Sequence, residues 1–414
     1  MTSIDTGRSA RLEAGESGAR IVPFRAAEPG AAPSTAVDEP GAARSPVPLF
    51  RRWTINGDFL ALQPTGVARY AREVTMALDG LVAARHPLTA GLEIDLVAPR
   101  EGREPLPLKA IPLRILPEFG RPRLPQFWVQ AQLPAAVPGG LLSFCNLAPV
   151  RVKRQIVCMH DLHTRLMPES YGFAFRWVHR LLMPALGRRV ARVTTVSQLS
   201  ARHLVEFGVA PENKIVVTYN GADHAARWQA DRSSFPDAAT RPYALAIGRS
   251  QKYKNVALLL ELAPLLDAMG IDLWMAGDID LGAAPLPPNL RMLGRISDDD
   301  FAKALQGALC FLFPSRIEGF GLPAVEAMTW GCPVVASTAP CLPEVCGDAA
   351  LYADPDDVVG WAQAVRRLRD DPGLRRRTAR AGRTQARRYT WRGIAETYLD
   401  LMMEIDGASA TRKW

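Results

Sequence analysis

Short apolar runs alternate with stretches of helical length along most of the chain. The first set, from Arg51 onward, is RRWTINGDFL, LEIDLVAP, GGLLSFCN, RQIVCMHD, ARVTTVS and KIVVTYN, and each run predicts a strand. The second set is PYALAIG, IDLWMAG, LRMLG, LCFLFP, CPVVAS and ALYADP. Because the runs are mostly continuous, they indicate parallel strands that are buried under helices on both faces. The pattern predicts an α/β protein with two doubly wound domains, whose ligands bind at the carboxyl ends of the strands.

Polar segments without an apolar period bound these two sets. Residues 1–47 are rich in Ala, Gly, Pro, Ser and charged residues, which predicts a disordered tail. The segment 224–242 is polar and holds two prolines, which is typical of a linker. We therefore predict an N-terminal domain over residues 48–228 and a C-terminal domain over residues 236–388. Apolar positions at helical spacing predict a final helix over residues 389–405.

Composition and charge narrow the set of partners. The 414 residues are 48% hydrophobic and exceed one ordinary core of about 100 to 200 residues. The formal charge of +8 favours anionic partners, which include nucleotide diphosphates, anionic lipid and nucleic acid. Nucleic acid is disfavoured because no aromatic series lies within a basic stripe. Neither a signal peptide nor a spanning helix is evident, and six unpaired-looking cysteines fit a reducing compartment, so we expect a cytoplasmic protein, soluble or peripheral at the inner face of the membrane.

The stretch PSRIEGFGLPAVEAMTWGCPVVAS, residues 314–337, predicts a glycine loop followed by a helix. Pro323 suits the first helical position, and Gly331 suits the left-handed residue just after the helix. The helix is expected to begin just after the loop Gly319-Phe320-Gly321-Leu322. Unpaired N–H groups at the helix start, together with glycines that allow close approach, would bind phosphate. The loop is therefore a predicted phosphate cradle.

Two carboxylates flank this loop and can accept hydrogen bonds from sugar hydroxyls. Taken alone, Glu318 could be an exposed loop acid, and Glu326 could merely complement the helix dipole. Together, with seven residues and a Gly-x-Gly-x-Pro sequence between them, they resemble the E-x7-E motif of family 4 retaining glycosyltransferases. Residues from about 243 to 360 resemble the C-terminal domain of that family. The resemblance implies the GT-B fold: two doubly wound Rossmann-like domains that face each other across a cleft, with a C-terminal helix that crosses back to the first domain.

A second cluster of interest is AIGRSQKYKN, residues 246–255. Gly248 ends a predicted strand and Asn255 could cap the next helix, which places Arg249 and Lys254 on the connecting loop. Two cations at the carboxyl end of a strand can bind a diphosphate and stabilise it as it leaves, although both could also be simply solvated. The family resemblance assigns them to the donor diphosphate.

The N-terminal half resembles the family more loosely. Gly66, in ALQPTGVARYAREVTMAL, matches the glycine of the first strand-to-helix loop, which approaches the phosphate. His160, in RQIVCMHDL, matches the strand-end histidine that reaches the transferred sugar, although a lone histidine there could be structural. The resemblance implies that Glu318 and His160 hold the transferred sugar and that Glu326 holds the ribose. Ser197 is predicted to be a helix N-cap rather than a substrate ligand.

The resemblance implies a retaining, metal-independent glycosyltransferase that needs no cofactor besides a nucleotide-diphosphate sugar. The elements HDL, VS, YNG and KN resemble branches that often use GDP-mannose in surface-polysaccharide (exopolysaccharide) synthesis. The alternative donor is a UDP sugar. The expected acceptor is a glycan or a polyprenyl-diphosphate-linked oligosaccharide. A sugar-nucleotide epimerase and a non-catalytic nucleotide-sugar sensor of the same fold are the less favoured alternatives.

Two further segments leave alternatives open. Residues 100–128 mix Arg and Lys with Leu, Ile, Phe and Trp, which predicts either a membrane-contacting surface or an ordinary loop over the core. Asp278-Ile279-Asp280 forms a D-x-D sequence, a metal-binding signature of a different glycosyltransferase fold. Here it follows the strand IDLWMAG, where the resemblance predicts a loop, so we expect no metal site.

Overall fold

The computed structural model describes residues 50–62, 66–102, 104–119, 127–235, 240–279 and 285–411. The tail predicted over residues 1–47 lies outside them. Every strand pairing in this described part of the chain is parallel. The strands form two separate sheets, one in each half of the chain.

The first sheet comes from the N-terminal half. Its strands are β1 (Arg51–Asn56), β2 (Leu92–Ala98), β3 (Leu113–Ile115), β4 (Gly140–Ser143), β5 (Gln155–Cys158), β6 (Arg192–Thr195) and β7 (Ile215–Val217). They are ordered β3-β2-β1-β4-β5-β6-β7. The central strands β4 and β5 are buried at every residue because helices cover both faces of the sheet.

The second sheet repeats this plan. Its strands are β8 (Tyr243–Ile247), β9 (Asp272–Ala276), β10 (Leu290–Gly294), β11 (Cys310–Phe313), β12 (Val334–Ser337) and β13 (Ala350–Ala353). They are ordered β10-β9-β8-β11-β12-β13. In each sheet the strand order reverses beside the first strand, between β1 and β4 and between β8 and β11. Such reversals open a crevice at the carboxyl ends of the strands, where ligands bind.

Helices connect the strands and cover both sheets. They are α1 (Gly66–Ala83), α2 (His163–Leu166), α3 (Phe173–Arg189), α4 (Gln198–Glu206), α5 (Val256–Asp267), α6 (Asp298–Gly307), α7 (Leu322–Thr329), α8 (Cys341–Cys346), α9 (Val358–Asp370), α10 (Pro372–Ala386) and α11 (Trp391–Thr411). None of the helices within the described ranges is long and apolar enough to cross a bilayer.

The last helix, α11, packs on the first domain. The Tyr398 hydroxyl lies 2.9 Å from the Tyr70 hydroxyl and 2.7 Å from Oγ1 of Thr194. Eight residues further on, the buried Asp406 carboxylate accepts hydrogen bonds from Arg51 Nε at 2.7 Å and from Trp53 Nε1 at 3.1 Å. The predicted fold class, with two doubly wound domains and a helix that crosses back to the first, is confirmed.

Each of the twelve apolar runs named above contains a strand, and β3 is an additional strand. All three residues of β3 are exposed, at the edge of the first sheet and inside the segment 100–128. A short exposed edge strand carries no continuous apolar run, so the hydrophobic pattern does not reveal it.

Candidate active site

The glycine loop before α7 lies where the two domains meet. Gly321 has a φ of 90° and is the residue that precedes the helix; a Cβ there would come within 2.6 Å of Leu342 Cδ2. A Cβ on Gly319 would lie 3.2 Å from the main-chain oxygen of His160, which follows β5 in the other domain. The loop therefore faces the carboxyl end of the first sheet. Gly331 has a φ of 70°, as predicted.

The predicted cation and carboxylate beside this loop are in contact. Lys254 Nζ donates to Glu318 Oε1 at 2.6 Å, and the two side chains are only 15% and 10% exposed. The ammonium also lies over the rings of Tyr253 and Phe313, at 5.3 and 5.4 Å from their centroids. A positive charge is thus held at the mouth of the predicted phosphate cradle.

Arg249 and Asn255, on the same loop as Lys254, take less expected positions. Arg249 is exposed just after β8, and it pairs with no carboxylate of the described residues. Asn255 precedes α5 with a φ of 56°, but its side chain does not cap the helix, since Nδ2 donates to the Pro355 carbonyl at 2.7 Å. Asn255 therefore stands at the predicted position before the helix, but the prediction that its side chain caps the helix is wrong.

His160 is buried on the first-domain side of the loop. Its Nε2 lies 2.7 Å from the Phe144 carbonyl oxygen, and because a carbonyl can only accept, Nε2 carries the proton. Its main-chain N–H donates to Asn146 Oδ1 at 2.7 Å, and its ring meets the Tyr70 ring edge to face. Burial alone would lower the pKa of His160, but Cys158, the Phe144 carbonyl and Asp161 together outweigh burial, so the pKa is raised.

Glu326 is held by a chain of side chains that the sequence did not indicate. Its carboxylate accepts from His224 Nε2 at 2.8 Å, and His224 Nδ1 in turn accepts from Trp391 Nε1 at 3.0 Å. An indole N–H can only donate, so Nδ1 of His224 is unprotonated and its proton sits on Nε2. Trp391 therefore sets the tautomer that allows His224 to donate to Glu326.

A cation from the first domain lies beside the same carboxylate. Arg69 Nε, on α1, is 3.9 Å from Glu326 Oε1. The terminal nitrogens of Arg69 bind both oxygens of Asp298, on α6, at 2.8 and 2.7 Å. The N–H groups at the start of α4 add a further contact between the domains, because the Glu344 carboxylate accepts from Gln198 N at 2.7 Å. Both contacts hold the two domains together around the loop.

The remaining residues predicted to bind the donor nucleotide sugar offer mainly their main-chain groups. Gly66 is the first residue of α1, and a Cβ there would have no described atom within 4 Å. The Phe320 ring is buried against Tyr389, at a centroid distance of 5.3 Å, and Leu322 is buried in the core. Donor contacts from Phe320 and Leu322 would therefore come from their N–H groups.

Two other expectations concern ligands and caps. Ser197 Oγ accepts from Ser200 N at 3.0 Å, so it is the N-cap of α4. Asp280 of the D-x-D sequence lies outside the described residues. Within the described ranges, no three or more His, Cys, Asp or Glu side chains are grouped as a metal site would require.

The sequence did not indicate a site role for His224 or Trp391, because the first lies in the predicted linker and the second in the predicted crossover helix. His224 opens the polar segment 224–242, whose composition predicts a linker, yet it is 1% exposed inside a short 3-10 turn, Asp223–Arg227. Trp391 begins the crossover helix. The YNG sequence just before His224 is the signal that could have drawn attention to this turn.

Comparisons with known proteins identify the family of the chain. Residues 64–226 match the family model described as Glycosyltransferase Family 4, and residues 229–385 match the model described as Glycosyl transferases group 1. The O-antigen chain mannosyltransferase B of Escherichia coli is 32% identical over 264 residues, which span 59% of this chain and 68% of that protein. The chain belongs to glycosyltransferase family 4. It is therefore a glycosyltransferase.

One further relative and one solved structure are similar to this family 4 enzyme. The GDP-mannose:cellobiosyl-diphosphopolyprenol alpha-mannosyltransferase of Komagataeibacter xylinus is 29% identical over 363 residues, which span 78% of this chain and 91% of that protein. The sucrose-phosphate synthase structure from Thermosynechococcus elongatus has a TM-score of 0.64 at 19% identity and covers 86% of this chain and 100% of its own. The latter likeness concerns the fold alone.

Proposed function

We propose that this family 4 enzyme transfers mannose from GDP-mannose, with retention, to a glycan or a polyprenyl-diphosphate-linked oligosaccharide in surface-polysaccharide synthesis. The observation that carries the proposal is the Lys254–Glu318 pair, 2.6 Å apart, beside a glycine loop that faces His160. The names of the Escherichia coli and Komagataeibacter xylinus relatives support mannose as the transferred sugar. The second name also supports GDP as the nucleotide and a lipid diphosphate on the acceptor.

Stabilisation of the leaving diphosphate is the main task of the cations. Negative charge grows on the diphosphate as the bond from the anomeric carbon to its oxygen breaks. Lys254, Arg249 and the N–H groups at the start of α7 would compensate that charge, and the start of α1 at Gly66 would add a second helix dipole. A closed interface between the domains strengthens these interactions because little water screens them.

Glu318 and His160 would hold the transferred sugar. Glu318 can accept from a sugar hydroxyl, and His160, whose Nε2 is bound to the Phe144 carbonyl, lies across the glycine loop from it. In the proposed step the acceptor oxygen bonds to the anomeric carbon on the face that the diphosphate leaves. The acceptor proton passes to a departing phosphate oxygen, so no covalent sugar on Glu318 is formed.

Glu326 would bind the ribose hydroxyls from a fixed position. Its carboxylate is 8% exposed and already receives one hydrogen bond, from His224, so its remaining lone pairs can accept two ribose hydroxyls. The Arg69 guanidinium, with Nε 3.9 Å from Oε1, places a positive charge beside this carboxylate. Because Trp391 fixes His224, the crossover helix takes part in donor binding.

Donor binding and turnover test the proposal. The melting temperature is measured with GDP-mannose, GDP, UDP-glucose and UDP, since a ligand that binds only the folded state raises it. GDP release from GDP-mannose is then followed without an acceptor, and the first anomer of free mannose is identified by proton NMR. We expect stabilisation by the guanosine compounds and release of α-mannose first, because water would replace the acceptor on the same face.

Matched variants make the result specific. E318Q is expected to bind GDP-mannose but to release GDP about a hundredfold more slowly, because the amide oxygen is a weaker hydrogen-bond acceptor for the sugar hydroxyl than the carboxylate. E261Q, an exposed glutamate on α5, is expected to behave as the wild type. Stabilisation by UDP-glucose alone would refute the donor assignment. Binding without turnover would identify a sensor, and a new sugar nucleotide in the absence of an acceptor would identify an epimerase.

A further inference from the structure

Helix α3 exposes a row of large apolar side chains. Phe173, Trp177 and Leu181 are 72%, 48% and 63% exposed, and their spacing of four residues places them on one ridge of the helix. The opposite face of α3 is packed on the domain through His179 and Met183, which are buried. Three large apolar side chains in one exposed row are typical of a surface that contacts another phase or partner.

Cations without carboxylate partners line this ridge. Arg176 and Arg180 are exposed on α3, and neither forms an ion pair within the described residues. Arg165 lies next to them, since it donates to the Arg180 carbonyl at 3.4 Å and sits over the Phe207 ring at 5.8 Å. Burial and, to a smaller extent, repulsion by the neighbouring positive charge of Arg180 lower the pKa of Arg165. An anionic partner would relieve that repulsion.

The N-terminal end of α3, where the ridge starts, lies near the candidate active site. Phe175, in the first turn of α3, stacks on Tyr171 at a centroid distance of 5.7 Å. The Tyr171 side chain also lies beside Tyr253, which precedes Lys254 of the donor loop. A surface that bound α3 would therefore lie beside the entrance to the cleft between the domains.

We propose that the ridge of α3 docks on an anionic membrane surface, with Phe173, Trp177 and Leu181 in the interface and the flanking arginines on lipid phosphates. This orientation would present the cleft to a lipid-linked acceptor, a part of the inference that rests on the proposed function. A second copy of the chain fits less well, because a symmetric contact would place arginine against arginine.

The segment 100–128, which the sequence indicated as an alternative membrane surface, is less suited to this role. Leu113 and Ile115 are 42% and 39% exposed on β3, but Arg114 between them pairs with Asp95 at 2.9 Å. Its charge is therefore already neutralised by the protein. Leu113 and Ile115 consequently provide the matched control for the apolar row on α3.

Vesicle co-sedimentation tests the proposal. The full chain is mixed with vesicles of phosphatidylcholine alone or of phosphatidylcholine and phosphatidylglycerol in equal amounts. We expect binding to the anionic vesicles that falls about tenfold or more in F173S/W177S/L181S and in R176Q/R180Q. The controls L113S/I115S and R366Q/R376Q, which change exposed apolar and basic residues elsewhere, are expected to bind as the wild type does.

The outcomes separate docking from catalysis. E318Q is expected to bind vesicles normally, and the α3 variants are expected to keep their melting temperature and to release GDP from GDP-mannose at the wild-type rate without lipid. No sedimentation of the wild type with anionic vesicles, or equal sedimentation of the α3 variants, would overturn the proposal. A dimer in light scattering that F173S/W177S/L181S dissociates would also overturn it, because a second copy would then cover the ridge.

Discussion

Trp391→Phe isolates one hydrogen bond that links the crossover helix to donor binding. Phenylalanine keeps an aromatic ring but removes the N–H that donates to His224 Nδ1 at 3.0 Å. Without that donor, His224 can place its proton on either ring nitrogen. In the tautomer with Nδ1 protonated, Nε2 would present a lone pair to the Glu326 carboxylate, and that molecule would lose the 2.8 Å hydrogen bond.

The expected loss of stability follows from burial. Trp391 is 2% exposed and His224 is 1% exposed, so the freed nitrogen has no access to water. An unmade hydrogen bond at a buried acceptor costs about 1–3 kcal/mol. The smaller phenylalanine ring leaves a cavity that adds about 1 kcal/mol or more. We expect the free energy of unfolding to fall by about 2–4 kcal/mol in urea titrations.

The same substitution should weaken donor binding more than turnover. A carboxylate that is no longer fixed loses part of its grip on the ribose, so the KM for GDP-mannose is expected to rise about tenfold, with a smaller change in kcat. Steady-state GDP release measures both constants.

Trp330→Phe is the matched control. Trp330 Nε1 donates to the Ala225 carbonyl at 3.0 Å, so this variant also loses an indole hydrogen bond close to the turn that carries His224. It should be less stable, with an unchanged KM. An unchanged KM in W391F, or an equal rise in W330F, would refute the argued role of the His224 tautomer.

Three further predictions follow from single contacts. K254M should lower the GDP release rate about a hundredfold while R249M has a smaller effect, because only Lys254 is held at the glycine loop. Burial raises the pKa of Asp58 from 3.8 to about 7, so the wild type should lose stability as the pH rises between these values; urea titrations of D58N should show no such slope. D406N should lower the unfolding free energy by about 3–5 kcal/mol, because Arg51 would be left buried and unpaired, and an intact melting temperature would refute this.

Much of the fold could be predicted because the buried strands of a doubly wound sheet leave continuous apolar runs. β4, β5, β11 and β12 are buried at every position, and each was evident from the sequence. The E-x7-E spacing and the loop cations identified Glu318 and Lys254, which are in contact although 64 positions separate them. Both follow strands, and strand ends converge at one edge of a sheet.

The partners of Glu326 could not be predicted in this way. His224 lies 102 positions before Glu326, and Trp391 lies 167 positions after His224. Neither residue directly follows a strand of the second sheet. Their meeting depends on the angle at which the crossover helix leaves the second domain, which hydrophobic periodicity does not encode. The side chain of Asn255 could not be predicted for the same reason, because it binds the Pro355 carbonyl, 100 positions further along the chain, instead of capping its own helix.

The path of α11 has a consequence for the order of events during synthesis. Tyr398 and Met402 are fully buried, and with Asp406 they complete the core and the polar contacts of a domain whose first strand, β1, was made some 350 residues earlier. While the ribosome is still translating the second domain, the surface of the first that α11 will cover is open to solvent and to other nascent chains. The first domain can therefore pack completely only after α11 has left the ribosome. Loss of this final helix would destabilise the domain that was translated first.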